Sequence, residues 1–115
     1  MPWPFRRRRV LGRWRDPRGI AVELDAQCWY GHIRRRHPEF GSSFEPIRDT
    51  IERPTSIHQS AHFADRECYY LLGGYPAYPP LLVKVVVQRR AGSPSEVRTA
   101  HLESAISARE VRLWP

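Results

Sequence analysis

The sequence contains few of the features that mark membrane-spanning or secreted chains. Its longest uninterrupted apolar runs, 81–83 and 85–87, are far shorter than the roughly 20 residues that a helix needs to cross a bilayer. The basic N-terminus is not followed by the apolar stretch of roughly 7 to 15 residues that a secretory signal requires. We therefore expect a cytoplasmic protein.

Cysteine is scarce, and Cys28 and Cys68 are the two that the chain contains. Two cysteines in a chain without a signal peptide are more often free, buried thiols than a disulfide, because the cytoplasm is reducing. Neither lies in a Cys-x-x-Cys pair, the spacing typical of zinc and redox sites. The cysteines therefore point to no metal or redox site.

Lysine is almost absent, since Lys84 is the one exception among 19 basic residues, and the formal net charge is +7. Residues 1–18 contain seven arginines and one aspartate, a net charge of +6, so the rest of the chain contributes only +1. The positive charge is therefore concentrated in an N-terminal arm. Trp3, Phe5 and Trp14 lie among these arginines, a combination suited to phosphate contact and base stacking.

An RNA-binding arm and a plain solvated basic tail explain this composition equally well. On the first interpretation, the residues predicted to bind RNA are Arg6, Arg7, Arg8, Arg9 and Lys84. The remaining chain is long enough for one hydrophobic core and too short for two. We predict a single domain at 19–115, preceded by the basic arm at 1–18.

Hydrophobic periodicity predicts a strand and two helices in the first half of the domain. The segment 19–24 alternates apolar and polar side chains, as a strand with one buried face does. Asp25 fits the N-cap of a helix that runs to about Arg36, where the following Pro38 stops it. The apolar spacing of 44–51 predicts a second short helix.

The periodicity becomes strand-like in the second half, in four segments at 56–60, 68–72, 81–88 and 96–102. Connections rich in glycine, proline and serine separate the later segments, as hairpin turns do. Two helices followed by such a meander predict an α+β fold, with N-terminal helices packed on one face of a roughly four-stranded antiparallel sheet.

The segment 32–39, HIRRRHPE, holds more reactive side chains than any other part of the chain. On a helix of 3.6 residues per turn, His32 and Arg36 share a face at the edge of the apolar stripe, and Arg35 lies on the other flank of His32. These side chains are thus predicted at the rim where a core helix meets solvent.

His37 precedes Pro38, so it leaves the helix and can turn back toward the sheet, with Glu39 close enough to orient it. Cleavage of RNA without a metal needs a base, an acid and donors for the phosphorane charge. Imidazoles with a pKa of about 6.5 and guanidinium groups that bind phosphate in two-pronged fashion meet these needs. A single histidine at a helix end is more often structural, so the argument rests on the cluster.

A strand threonine and a possible zinc site are two further patterns in the sequence. Thr99 lies mid-strand, where its hydroxyl can donate to a phosphate oxygen, although a half-buried strand threonine needs no function. A zinc site of His32, His37, Glu39 and His58 is disfavoured, because the two histidines of 32–39 lack the His-x-x-x-His spacing that puts ligands on one helix face. We expect no metal and no cofactor.

Taken along the chain, these motifs resemble a known family. HIRRRHPE after a short strand, then ERPTSI, YYLL, the valine-rich LLVKVVVQ, VRTAHL and a terminal RLW are similar to the phage and prophage nuclease domains grouped as barnase/EndoU/colicin/RelE-like. The resemblance covers roughly 19–114, and its most specific part is the segment 32–39. It implies helices on a four-stranded antiparallel sheet and metal-independent RNA cleavage of the toxin type.

The resemblance also assigns residues. It places Thr99 at the family's strand threonine, whereas His101 stands where an aromatic residue is expected and the arginine arm is not part of the pattern. With the residues argued above, the predicted catalytic set is His32, Arg35, Arg36, His37, Glu39 and Thr99. The expected partners are RNA and an inhibitor protein. The alternative is an RNA-binding or protein-binding module that keeps the fold without turnover.

Overall fold

The computed structural model describes residues 8–115. Within them, seven strands form one mixed sheet: β1 (Val10–Arg15), β2 (Ala21–Asp25), β3 (Ser56–Gln59), β4 (Arg66–Leu72), β5 (Leu82–Gln88), β6 (Ser95–Glu103) and β7 (Val111–Trp114). Their order across the sheet is β1-β2-β6-β5-β4-β3-β7. Neighbouring strands are antiparallel except β2 and β6, which are parallel.

Side-chain alternation decides which face of each strand is buried. In β5, Val83, Val85 and Val87 are fully buried in the main core, because alternate residues of a strand face the same side of the sheet. On the other face of the sheet, Cys68 and Tyr70 form a smaller cluster with Leu82. We call these the core face and the second face.

The first helix packs on the core face. Asp25 is its N-cap, as predicted, because its carboxylate accepts a 2.8 Å hydrogen bond from the backbone N–H of Cys28. The continuous helical segment 26–36, here α1, consists of α-helical Ala26–Cys28, a π-helical turn at Trp29–Ile33 and α-helical Arg34–Arg36. It ends at His37, whose φ of −130° and ψ of 67° are not helical, in agreement with the proline that follows.

A single 3-10 turn, Pro38–Phe40, leads to the second helix, α2 (Glu45–Glu52). Ile47 and Ile51 of α2 enter the core together with Trp29 and Ile33 of α1. Neither helix within residues 8–115 has the length and apolar character that a membrane-spanning helix needs.

The predicted fold, helices on a four-stranded antiparallel sheet, is wrong. The four segments predicted in the second half are present as β3 to β6, and the strand predicted at 19–24 is present as β2. However, β2 joins the same sheet, which also contains β1 and β7 and is mixed rather than antiparallel. Strand β1 lies within the segment assigned to the basic arm, and its arginines hid its strand character. Arg13 of β1 is ion-paired with Glu23 of β2, so the cross-strand carboxylate compensates the charge.

A buried ionic network ties the turn between β1 and β2 to β4. The Nη2 atom of Arg18 lies 2.8 Å from Asp16 Oδ2 and 2.6 Å from Glu67 Oε1, and Tyr69 donates a 2.7 Å hydrogen bond to Asp16. The carboxylate of Asp16 is inaccessible to solvent. Burial alone would raise its pKa, but the hydrogen bonds from Tyr69 and Arg18 outweigh burial and hold the pKa of Asp16 below its usual value.

The chain after β6 crosses the second face to reach β7. On the way, the carboxylate of Glu110 accepts a 2.6 Å hydrogen bond from the hydroxyl of Tyr70 and lies 3.2 Å from the ammonium of Lys84. The side chain of Lys84 is 16% exposed. Lys84, predicted to bind RNA, is thus engaged by a carboxylate of its own chain, so RNA would have to displace Glu110 to reach it.

Candidate active site

Helix α1 continues along the edge of β6 where β2 leaves it. Strand β2 pairs with β6 only at Ser95 and Glu96, so the rest of that edge of β6 is free for the helix. There the thiol of Cys28 lies 3.5 Å from the carbonyl oxygen of Arg98. Burial raises the pKa of the Cys28 thiol to about 12, so this cysteine is not a nucleophile near neutral pH.

A β-bulge sets the direction of Thr99. Val87 of β5 is paired with Val97 and Val86 with Thr99, so Arg98 is an extra residue in β6. Val97 is buried in the core, whereas Thr99 pairs with Val86, which packs against the cluster of the second face. Regular alternation would put Val97 and Thr99 on one face of the strand, but the extra residue reverses the alternation and turns Thr99 to the second face.

The bulge brings Thr99 to His32. His32 lies in the π-helical turn of α1, and its Nε2 atom is 3.0 Å from the hydroxyl oxygen of Thr99. A π-helical turn inserts an extra residue into the helix and is frequently found at functional sites. The structure thus brings together two of the predicted catalytic residues from elements far apart in the sequence.

The imidazoles of His37 and His101 follow that of His32 in a row. The ring of His37 lies 6.2 Å from that of His32 and stacks on that of His101, with centroids 5.4 Å apart and planes inclined by 27°. The Nε2 atom of His101 is 2.8 Å from Glu103 Oε1. We call the three residues His32, His37 and His101 the histidine row.

The turn that carries His37 is anchored on both sides. The Nδ1 atom of His37 lies 3.6 Å from Glu39 Oε2, which is an ion-pair distance rather than a close hydrogen bond. The hydroxyl of Tyr75 donates a hydrogen bond to the carbonyl oxygen of Glu39. His37 therefore turns back toward the sheet, as expected from the proline that follows it.

The environment of His32 favours its neutral form. Burial lowers the pKa of His32, and the positive charges of Arg36 and Arg98, with the neighbouring His37, lower it further. An imidazole with a lowered pKa stays deprotonated at pH 7, which is the state that a general base requires.

A cleft of 610 Å³ opens beside the His32–Thr99 hydrogen bond. Arg66 and Arg98 line it together with two carboxylates, Asp25 and Glu96. Both carboxylates are already paired with Arg8, at 3.2 and 2.9 Å. Arg66 and Arg98 make no ion pair within residues 8–115, so the uncompensated charge of the cleft is positive.

Within residues 8–115, the arginines that remain from the predicted sites do not line this cleft. Arg36 is exposed and does not line it, although its charge acts on His32. Arg35 is exposed, and within the described chain no hydrogen bond or ion pair links it to the histidine row. Arg9 is exposed as well, whereas Arg8 is held by acidic residues. The predictions for Arg6 and Arg7 lie outside the described residues.

Sequence reasoning missed several residues of the site: His101, Glu103, Arg66 and Arg98. His101 departs from the family pattern, but polar residues at 99, 101 and 103 alternate as one face of a strand does. That alternation was the signal that could have found His101 and Glu103. No pattern in the sequence predicts the β-bulge at Arg98.

The four residues of the disfavoured zinc site do not come together. His58 lies on β3, three strands away from β6 and the histidine row. In the part of the chain that the structure describes, no group of three or more His, Cys, Asp or Glu side chains is arranged to hold a metal ion.

No family model, no curated protein and no solved structure gives a significant match to this chain.

The charge effect on His32 can be tested by an NMR titration of its imidazole. Replacing Arg36 with glutamine removes a positive charge near His32 and should raise the pKa of that imidazole. The titration midpoint of His32 should therefore move to higher pH. Arg34→Gln is the matched control, because the guanidinium of Arg34 lies over the ring of Tyr30 instead. Equal midpoints in the two variants would contradict the effect of Arg36 on His32.

Proposed function

We propose that the protein is an endoribonuclease that cleaves RNA without a metal ion, through attack of a 2′-hydroxyl on the adjacent phosphorus. The observation that supports this most is the histidine row, which starts at the His32–Thr99 hydrogen bond beside a cleft of uncompensated positive charge. Such a site combines groups that exchange protons near neutrality with donors for an anionic phosphate.

In this proposal His32 is the general base. Its lowered pKa keeps the imidazole neutral, so it accepts the proton of the 2′-hydroxyl as the bond from that oxygen to phosphorus forms. The bond from phosphorus to the 5′ oxygen breaks, and the 5′ oxygen takes a proton from His37. The products are a 2′,3′-cyclic phosphate and a 5′-hydroxyl.

Other residues hold these groups or the phosphate. His101, fixed by Glu103, is a positioning residue that supports the ring of His37 by stacking. The hydroxyl of Thr99 donates to a phosphate oxygen once RNA enters, and Arg98, which lines the cleft, stabilises the charge that builds up on the phosphorane. Arg36 acts through the effect of its charge on His32. Arg35 has no role in this scheme.

An incubation with total RNA in the presence of a chelator tests the proposal. We expect RNA fragments on a gel, with 2′,3′-cyclic phosphate at their 3′ ends by mass spectrometry. Cleavage that stops on addition of chelator, or that leaves 3′-hydroxyl ends, would contradict the proposed chemistry. Binding of RNA without any cleavage would instead favour an RNA-binding module.

A further inference from the structure

Arg66 lines the cleft at a distance from the histidine row. It begins β4, which is separated from β6 by β5, so at about 4.8 Å per strand spacing its backbone lies about 10 Å across the sheet from β6. Its partner in register is Gln88 of β5, whereas Thr99 is paired with Val86. Arg66 and Thr99 therefore enter the same cleft from backbone positions two strands apart.

The guanidinium of Arg66 has no partner of opposite charge. It makes no hydrogen bond or ion pair within residues 8–115, and its Nε atom is buried without a hydrogen-bond partner. The seven residues that precede the described chain contain no carboxylate. By contrast Arg89, at the end of the neighbouring strand, lies 3.1 Å from Glu67. A buried donor left without a partner costs free energy unless a ligand or water satisfies it.

An aromatic ring holds the guanidinium in place. The central carbon of the Arg66 guanidinium lies 4.0 Å from the centroid of the Phe63 ring. Phe63 itself is 49% exposed, so much of its ring surface is accessible to solvent. A guanidinium stacked on an aromatic ring keeps its N–H edges free for the two-pronged binding of a phosphate.

We propose that Arg66 and Phe63 form a second nucleotide subsite, in which Arg66 binds the phosphate next to the scissile one and Phe63 stacks on a base. This inference rests on the proposed function and extends it. The substrate is then a single-stranded oligoribonucleotide longer than a dinucleotide, because a dinucleotide has one phosphodiester and cannot occupy both positions. Stacking of bases on aromatic rings tolerates any sequence, so the subsite adds affinity rather than sequence preference.

Binding of a fluorescein-labelled RNA hexamer with 2′-O-methyl groups, which lacks the nucleophile, tests the subsite independently of cleavage. Arg66→Gln should weaken binding about 10-fold and make the slope of log K against log salt shallower by about 0.7, the value for one phosphate contact on a single strand. Phe63→Leu should weaken binding roughly 5- to 150-fold, the range for one stacked base. Arg109→Gln, which removes the same charge from an exposed residue outside the cleft, should change neither quantity.

Cleavage provides the second readout. Arg66→Gln should lower kcat/KM for a hexamer and leave that for a dinucleotide unchanged, and Arg66→Lys should keep the salt slope but recover only part of the affinity. Equal salt slopes for Arg66→Gln and Arg109→Gln, or equal losses on the two substrates, would overturn the subsite while cleavage by the wild type stands. Conversely, a wild type that binds the hexamer through Arg66 but cleaves no RNA would overturn the proposed function and keep the subsite.

Discussion

Replacing His32 with alanine is expected to lower the rate of RNA cleavage by about 10² to 10⁴-fold, the usual contribution of general acid-base catalysis. The residue is bound to Thr99 at the margin of the cleft rather than in the hydrophobic core, so the loss should appear in kcat with little change in the melting temperature. Initial rates on a fluorogenic oligoribonucleotide, with thermal melts of the same samples, measure both effects.

His62→Ala is the matched control, since this histidine is exposed in the loop between β3 and β4 and does not line the cleft. It should cleave RNA at the rate of the wild type. If the two alanine variants were equally active, His32 would not be the base. If His32→Ala lowered the melting temperature as much as the rate, its role would be architectural.

Arg18→Met is expected to give the largest loss of stability, about 3–5 kcal/mol, because it leaves the buried carboxylates of Asp16 and Glu67 without their shared cation. Chemical denaturation at pH 7 measures this loss in the free energy of unfolding. Arg53→Met is the control: Arg53 is 73% exposed and its ion pair with Asp49 is a surface pair, for which about 0–1 kcal/mol is expected.

The stability that Arg18→Met loses relative to the wild type should depend on pH, because the carboxylate of Asp16 titrates differently in the two proteins. In the wild type the pKa of Asp16 is lower in the folded chain than in the unfolded one, so its stabilisation is present above the unfolded value and is lost as the pH falls through the folded one. In Arg18→Met the carboxylate of Asp16 loses the hydrogen bond and the positive charge that lower its pKa, so it is protonated more readily. The difference in the free energy of unfolding between the wild type and Arg18→Met should therefore become smaller as the pH is lowered from 7 towards 4. A difference that does not change with pH would mean that Arg18 acts through packing alone.

Much of the secondary structure could be predicted from local patterns. Asp25 as an N-cap, the end of α1 before Pro38 and the buried valines of β5 follow from backbone sterics and side-chain alternation, which depend on neighbours in the sequence. These rules act over a few residues, so they located β2 to β6 and both helices.

What could not be predicted depends on distant partners. In β1 the charge of Arg13 is compensated by Glu23 of β2, and in β7 three of the four side chains are exposed, so no buried face marks that strand in the sequence. Nothing in the local sequence requires β2 to pair with β6 in parallel. The bulge at Arg98 likewise depends on the register with β5, so the direction of Thr99 could not be derived from alternation alone.

The candidate site was therefore located in part. His32 and His37 were chosen because reactive side chains cluster in 32–39, and this clustering is visible in a single sequence. The contribution of β6 was visible only as an isolated threonine, and the stacking of His101 on His37 depends on how α1 packs against the sheet. The helical-wheel argument for Arg36 assumed 3.6 residues per turn, whereas α1 contains a π-helical turn.

The hydrogen bond between His32 and Thr99 joins positions 67 residues apart in the chain, and this separation bears on when the candidate site forms during folding. The hairpins that connect β3 to β6 close short loops, whereas docking α1 against β6 closes a long one at a greater entropic cost. The site should thus be among the last parts to assemble. A chain still on the ribosome carries His32 and His37 without Thr99 and His101, so newly made protein gains its cleft only after β6 has emerged and joined the sheet.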